Sequence, residues 1–165
     1  STSIILLISG VLLARFPSFS SKIVLSTLAH EVALSVREAQ VFGTSSREFG
    51  TDIFPSHGIY FETANPTQFV LFADTNGNKF YDKIADGVVD TFTMQNGSSI
   101  QSLCAPVESC SNVSELHIVF TRPNPEALVR NELGVIYASG QITVQSSRGD
   151  TRSVRVWANG QIAVE

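Results

Sequence analysis

Charged residues are scarce in this sequence, and basic residues are the fewer of the two signs. The chain has 11 Lys and Arg against 15 Asp and Glu, which gives a formal net charge of −4 over 165 residues. Surfaces that contact nucleic-acid phosphates usually carry an excess of basic charge, so this balance gives no support for general binding of DNA or RNA. A charged content of only 16% also leaves room for a surface that is buried in an assembly.

Residue combinations that support catalysis are missing as well. The sequence holds no acid pair, nucleophile elbow, Walker loop or zincin helix. Its three histidines, His30, His57 and His117, are scattered along the chain. We therefore predict that the protein is not an enzyme.

An apolar run of full membrane-spanning length is missing too. Residues 4–16 are mostly apolar, with Arg15 as the only charge. At helical rise they cover about 20 Å, short of the roughly 30 Å hydrocarbon core of a bilayer. Taken alone, this run is a buried helix, a signal-peptide core or a truncated membrane span. A signal peptide is disfavoured because no basic region precedes the run and no small-residue cleavage site follows it.

A helical pattern continues beyond this run. Pro17 and the serines that follow it predict a kink, since proline removes a helical donor and clashes with the preceding turn. Residues 22–42 then resume helical periodicity, and Gly43 ends the helix. The stripe predicted to face a core consists of Leu25, Leu28, Ala29, Val32, Val36 and Ala39. The other side carries Ser26, Thr27, His30, Glu31, Arg37, Glu38 and Gln40.

Short strands separated by turn residues are predicted from residue 52 onward. The predicted strands are residues 58–61, 68–73, 88–94, 99–103, 116–120, 141–145, 153–157 and 161–164. The pair Asn96 and Gly97 predicts a hairpin between the third and fourth of these strands. Several short strands after one helix indicate an α+β fold with an antiparallel sheet.

The sequence has two cysteines, Cys104 and Cys110, and their spacing permits a disulfide that closes a small loop. The alternative is two unrelated buried thiols. A metal site would need further Cys or His nearby, and His117 alone does not complete one. A disulfide would imply export to an oxidising compartment.

The layout of the chain resembles the type IV pilin and type II secretion pseudopilin superfamily. In that family an apolar half-helix leads through a proline region into an amphipathic half-helix, as residues 4–42 do here. The head adds Phe-Ala-Asp-x-Asn-Gly-Asn at 72–78, Arg-Pro-x-Pro-Glu-Ala at 122–127 and Val-x-Val-x-Ala-x-Gly-Gln-Ile at 154–162. These motifs resemble those of the H-type minor pseudopilins and related minor pilins. The sequence departs from the family at Ser1 and Ile5, where the family carries Phe or Met and a glutamate, and we expect further residues upstream.

The resemblance implies a pilin-like α+β fold, in which a long kinked N-terminal helix packs on an antiparallel β-sheet head. Residues 1–22 would form the apolar membrane and filament half-helix, and residues 23–165 the head, made of the half-helix 23–42 and the sheet 52–165. The implied function is that of a structural subunit of a type IV pilus-like or type II secretion filament. Its partners would be other pilin or pseudopilin subunits, and the inner membrane before assembly into a periplasmic or extracellular filament.

A loop in the head has the spacing of a calcium site. It carries oxygen ligands at alternate or nearby positions, namely Asp74, Asn76, Asn78 and Asp82. The match to an EF-hand loop is incomplete, because Lys79 stands where that loop has glycine and Ala85 where it has a bidentate acid. The alternative is a β-turn in which Asp and Asn side chains cap the backbone. We favour the turn and expect no resident cofactor.

Three arginines near the C-terminus, Arg148, Arg152 and Arg155, suggest a second function. Some related minor pilins bind DNA through C-terminal arginines, and Trp157 lies two residues from Arg155, on the same strand face. The head would then be a binding module for DNA or for another surface. The alternative is a solvated hairpin with Arg155 lying on Trp157, which the acidic total favours.

Overall fold

The computed structural model describes residues 2–45, 49–51 and 54–165, with side chains from residue 22 onward in helix α1. Helix α1 is assigned to Thr2–Thr44. The strands in the described residues are β1 (Ser56–Glu62), β2 (Gln68–Asp74), β3 (Gly87–Thr93), β4 (Ser99–Cys104), β5 (Asn112–Val113), β6 (Glu115–Phe120), β7 (Ala127–Asn131), β8 (Ile136–Tyr137), β9 (Ser139–Gln145), β10 (Thr151–Trp157) and β11 (Ile162–Val164).

The predicted fold class is wrong. Over the part of the chain described with side chains, the fold is mostly β, with about 43% strand in two antiparallel sheets and one short helical segment, residues 22–44, that makes up 17%. The apolar stripe of this segment is too narrow to cover the apolar faces of so many strands. A second sheet therefore closes the core, where the prediction had a long kinked helix on a single sheet.

The predicted N-terminal half-helix of residues 1–22 falls almost wholly outside the residues whose side chains are described, and so does its kink at Pro17. Among the helical residues that the structure describes, no stretch is long and apolar enough to cross a membrane.

Each of the two sheets combines strands that are neighbours in the sequence with strands that are distant in it. The first sheet has the order β3-β2-β1-β6-β7-β8, and the second has the order β11-β10-β9-β4-β5. In the first, β1 pairs with both β2 and β6, with Ile59 opposite Leu71 and Ile118. The turn at Asn96 and Gly97, both with positive φ, links β3 of the first sheet to β4 of the second, so the predicted hairpin at this turn is wrong.

One core is shared by the helix and by the inner faces of both sheets. The six residues of the predicted helical stripe are all buried, between 0% and 7% exposed. They contact apolar side chains of both sheets, among them Phe61, Ile118, Ile142 and Val154. The periodicity of the sequence therefore predicted correctly which face of residues 22–44 packs inward.

Gln40 lies on the buried side of α1, although the sequence pattern placed it on the polar side. Its side chain is 8% exposed, and its Nε2 donates to the carbonyl oxygens of Pro125 at 2.8 Å and Gly160 at 3.1 Å. A Cβ at Gly160, which has φ of +84°, would collide with the Pro125 carbonyl and with Gln40. Gln40 thus ties the end of the helix to loops beside β7 and β11.

A smaller apolar layer covers the outer face of the first sheet. Strand alternation sends Ile59 and Phe61 to the shared core, and it sends Tyr60 outward, where it packs with Phe72 and Val119. Tyr81, from the connection between β2 and β3, packs on this layer. We call this connection, residues 75–86, the cap loop. It lies on the side of the first sheet that faces away from α1.

Candidate functional site

The side of α1 that faces away from the core carries large apolar side chains. Ile23 is 52% exposed, Leu34 is 68% exposed and Val41 is 54% exposed. They are interspersed with exposed charged residues such as Glu31 and Glu38. Exposed apolar side chains on one side of a helix are available for contact with another molecule.

A groove of about 430 Å³ runs between α1 and the end of β3. Its floor includes Phe69 and Phe92, whose rings stack with centroids 4.8 Å apart. The helix contributes Leu28 and Leu34 to the apolar wall and two carboxylates, those of Glu31 and Glu38. The residues that line the groove are Leu28, Glu31, Leu34, Ser35, Glu38, Phe69, Phe92, Thr93 and Met94. The groove therefore offers an apolar cleft with acidic side chains, which suits an apolar side chain beside a basic one.

The side-chain oxygens of the predicted calcium loop serve mainly as acceptors for backbone N–H groups. Asn76 Oδ1 accepts from the N–H of residue 78, and Asn78 Oδ1 accepts from the N–H of residue 80. Asp82 Oδ1 accepts from the N–H groups of residues 84 and 85. Asp86, four residues after Asp82, accepts from the N–H groups of residues 75 and 82. The contacts of Asn76, Asn78 and Asp82 with the N–H two residues on are those of Asx turns.

A lysine occupies the space beside the most buried carboxylate of this loop. Lys79 Nζ lies 3.3 Å from Asp74 Oδ2 and 2.6 Å from Ser56 Oγ. Asp74 Oδ1 is buried without a hydrogen-bond partner. Burial raises the pKa of the Asp86 carboxyl, and the negative charge of Asp74 adds to this effect. No group of three or more His, Cys, Asp or Glu that could hold a metal is present among the described residues.

The three candidate nucleic-acid residues lie on the hairpin of β9 and β10 but differ in their surroundings. Arg148 and Arg152 are exposed, in the turn and at the start of β10. Arg155 is committed to neighbouring side chains, since its Nε donates to Gln141 Oε1 at 2.9 Å and its Nη1 lies 2.8 Å from Glu165 Oε1. Of the three candidate arginines, Arg148 and Arg152 are therefore exposed and Arg155 is partly buried.

The predicted disulfide between Cys104 and Cys110 is present, with the two Cα atoms 4.7 Å apart. Cys104 is the last residue of β4 and is buried, whereas Cys110 is exposed. The enclosed loop is also held by backbone bonds, from the N–H of Cys110 to the carbonyl of Pro106 and from that of Ala105 to Ser111. The bridge thus adds to a local turn that folds back on β4.

A cluster around His117 was not found from the sequence. The His117 side chain is 3% exposed; its Nδ1 accepts from the backbone N–H of Tyr81 at 3.1 Å, and its Nε2 lies 3.3 Å from Glu115 Oε2. Because Nδ1 accepts, the proton of the neutral ring is on Nε2 and points to Glu115. Burial lowers the pKa of His117, and the Glu115 carboxylate partly offsets this. His117 therefore holds the cap loop on the first sheet as a neutral acceptor.

Tyr60 lies beside His117 in the same cluster, with ring centroids 4.8 Å apart. Its hydroxyl donates to Glu62 Oε2 at 2.8 Å, and burial raises the pKa of Tyr60 well above its ordinary value. Tyr60 and His117 come from adjacent strands that are distant in the sequence, so only their register brings them together. The one signal in the sequence was a polar His within an otherwise apolar strand.

No family model, no curated protein and no solved structure matches this chain. The resemblance to pilins and pseudopilins accordingly stays a prediction from the sequence motifs.

Proposed function

We propose that this protein is a structural, non-catalytic subunit that assembles through its N-terminal helix into a type IV pilus-like or type II secretion filament. The observation that carries the proposal is the row of exposed apolar side chains on α1, formed by Ile23, Leu34 and Val41. In the sequence, Ile23 lies seven positions after the end of the apolar run of residues 4–16. These three side chains give the described part of the helix an apolar surface that its own head leaves uncovered.

The energetics of this surface favour assembly. Burying an exposed aliphatic side chain is worth about 1.5–3 kcal/mol. Covering the apolar area of all three side chains would therefore favour association. Lipid would cover this area while the subunit is in the membrane, and neighbouring helices would cover it after assembly into a filament.

The disulfide supports a location outside the reducing cytoplasm. Bridges of this kind form and persist in oxidising compartments such as the bacterial periplasm or the cell surface. The bridge between Cys104 and Cys110 lies in the head, which such a subunit would present on that side. This location is part of the proposal.

DNA binding by the head is the second candidate, and it has less support. Its observation is the exposure of Arg148 and Arg152 on the β9–β10 hairpin. Two observations disfavour DNA binding, namely the ion pair between Arg155 and Glu165 and the net charge of −4. A DNA-binding head would lose affinity steeply with added salt, and exchange of Arg148 and Arg152 for glutamine would reduce that salt dependence.

Removal of residues 1–21 tests the proposed assembly. The shortened chain should stay soluble, folded and monomeric after detergent is withdrawn, whereas the full chain should sediment as a polymer. Analytical ultracentrifugation measures both species, and the fluorescence of Trp157, the only tryptophan, reports whether the head is folded. A full chain that stays monomeric without detergent would contradict the proposal. An aggregated shortened chain would show that the head needs residues 1–21 to fold.

A further inference from the structure

The most exposed large apolar side chain of the described residues lies at the tip of the cap loop. Ile84 is 96% exposed. It follows Lys83, whose side chain is 64% exposed and whose Nζ lies 3.4 Å from Glu62 Oε2. An apolar side chain beside a basic one is thus presented to solvent, and burying a side chain such as that of Ile84 would yield about 1.5–3 kcal/mol.

The cap loop holds this tip in a defined position. The N–H of Ile84 donates to Asp82 Oδ1 at 3.0 Å, and the N–H of Asp82 donates to Asp86 Oδ2 at 2.8 Å. Thr75 Oγ1 donates to the carbonyl of Ala85 at 2.6 Å. An apolar tip on an ordered loop loses little conformational entropy when it binds, which makes it an effective anchor.

The groove beside α1 has the complementary properties. The groove is lined by the apolar side chains of Leu28, Leu34 and Phe92. The carboxylates of Glu31 and Glu38 also line it. The cap loop and the groove cannot meet within one chain, because the cap loop covers the outer face of the first sheet and α1 packs on its inner face.

We propose that the head makes a heterologous contact between copies, in which Ile84 of one copy occupies the α1–β3 groove of the next and Lys83 pairs with Glu31 and Glu38. This proposal rests on the proposed function and names a contact within that filament. A knob and a complementary pocket on different faces of one chain generate an open series of subunits unless the rotation closes a ring. The contact therefore links the heads of successive subunits, in addition to the assembly through their helices.

Cysteine cross-linking of two full-length variants tests the contact. One variant carries Leu34→Cys in the groove, and the other carries Ile84→Cys at the tip. Both sites are exposed, so both variants should keep the native fold. When the two are mixed in mild detergent and oxidised, we expect a bond between positions 34 and 84, identified by peptide mass spectrometry. Two exposed positions outside the groove, the tip and the outer face of α1, Leu133→Cys and Ile136→Cys, serve as controls.

The yield of the mixed product decides the outcome. We expect it to exceed the yield of the control pair about tenfold, which corresponds to a contact of about 1.4 kcal/mol. Equal yields from the two pairs would overturn the proposal. A dominant bond between two copies of position 84 would also overturn it, since that product indicates an isologous contact between the tips.

A charge exchange checks the partner role of Lys83. Changing Glu31 and Glu38 to lysine in the groove variant should lower the mixed yield severalfold, because like charges then face each other. Adding Lys83→Glu to the tip variant should restore the yield. A loss without restoration would contradict the assigned pairing.

Sedimentation of the same samples after detergent removal separates the two proposals. Polymers without the bond between positions 34 and 84 would overturn the head contact and leave the helix-driven assembly in place. The bond in closed rings, without filaments, would support the head contact and contradict the helix-driven assembly.

Discussion

Helix α1 has a buried and an exposed face two residues apart, and the same substitution on each face tests the packing of the helix. Val32 is 0% exposed and belongs to the core shared by both sheets, whereas Leu34 is 68% exposed. Changing either residue to aspartate removes an apolar side chain and introduces a carboxyl group. Only the surroundings of the two residues differ, so Leu34→Asp is the matched control for Val32→Asp.

The expected loss for Val32→Asp is close to the whole stability of a domain. Loss of valine burial costs about 1.5–3 kcal/mol. The new carboxyl must either stay charged without a partner or become neutral, and a shift of 3–5 pKa units costs about 4–7 kcal/mol. A domain has a free energy of unfolding of about 5–15 kcal/mol, so Val32→Asp should leave the head unfolded or barely folded. Leu34→Asp should change the free energy of unfolding by less than about 0.5 kcal/mol.

Guanidinium unfolding of the full chain in mild detergent provides the assay. Trp157 fluorescence reports the sheet, and far-ultraviolet circular dichroism reports the secondary structure. A Val32→Asp variant with the midpoint of the unchanged protein would refute the packing of α1 on the core shared by both sheets. A Leu34→Asp variant that unfolds as readily as Val32→Asp would refute the exposure of the outer face.

Three further predictions concern the head. Burial lowers the pKa of His117 below its ordinary 6.5, so the unfolded chain binds a proton more readily than the folded chain. The free energy of unfolding should therefore fall as the pH drops below about 6.5. His117→Asn, which keeps an acceptor for the Tyr81 N–H, should lose less stability than the unchanged protein in thermal melts over the same pH range, and an equal loss would contradict this role. Reduction of the disulfide between Cys104 and Cys110 should lower the free energy of unfolding by about 2 kcal/mol, because the bridge closes only a small loop. Hydrogen exchange should rise in residues 102–113 alone, and collapse of the whole head would contradict this prediction. Calcium and chelator should give equal melting midpoints, and a higher midpoint with calcium would show that the cap loop binds the ion.

The buried stripe of α1 was predictable because it depends on local periodicity alone. Six apolar residues at helical spacing define one face, and all six are in the core. Most strands were also predicted within a few residues, from β-branched and aromatic runs between turn residues. The short strands β5 and β8 and the polar-flanked β7 were missed, since two to five residues give little periodic signal.

Pairing between strands was not predictable, because it depends on residues far apart in the sequence. Asn96 and Gly97 predict a tight turn correctly, but no local signal shows that β4 leaves β3 and pairs with β9. Gln40 was misplaced for the same reason, because its carbonyl partners lie 85 and 120 positions away. The groove, the tip of the cap loop and the His117 cluster likewise exist only once the two sheets are formed.

Electron cryo-microscopy of the full chain after detergent removal tests the central claim most directly. The claim is that the protein polymerises through its N-terminal helix. The account predicts filaments with the N-terminal segments of neighbouring subunits bundled along the axis and the β heads outside. The absence of filaments, or filaments whose axis is lined by the heads, would contradict it.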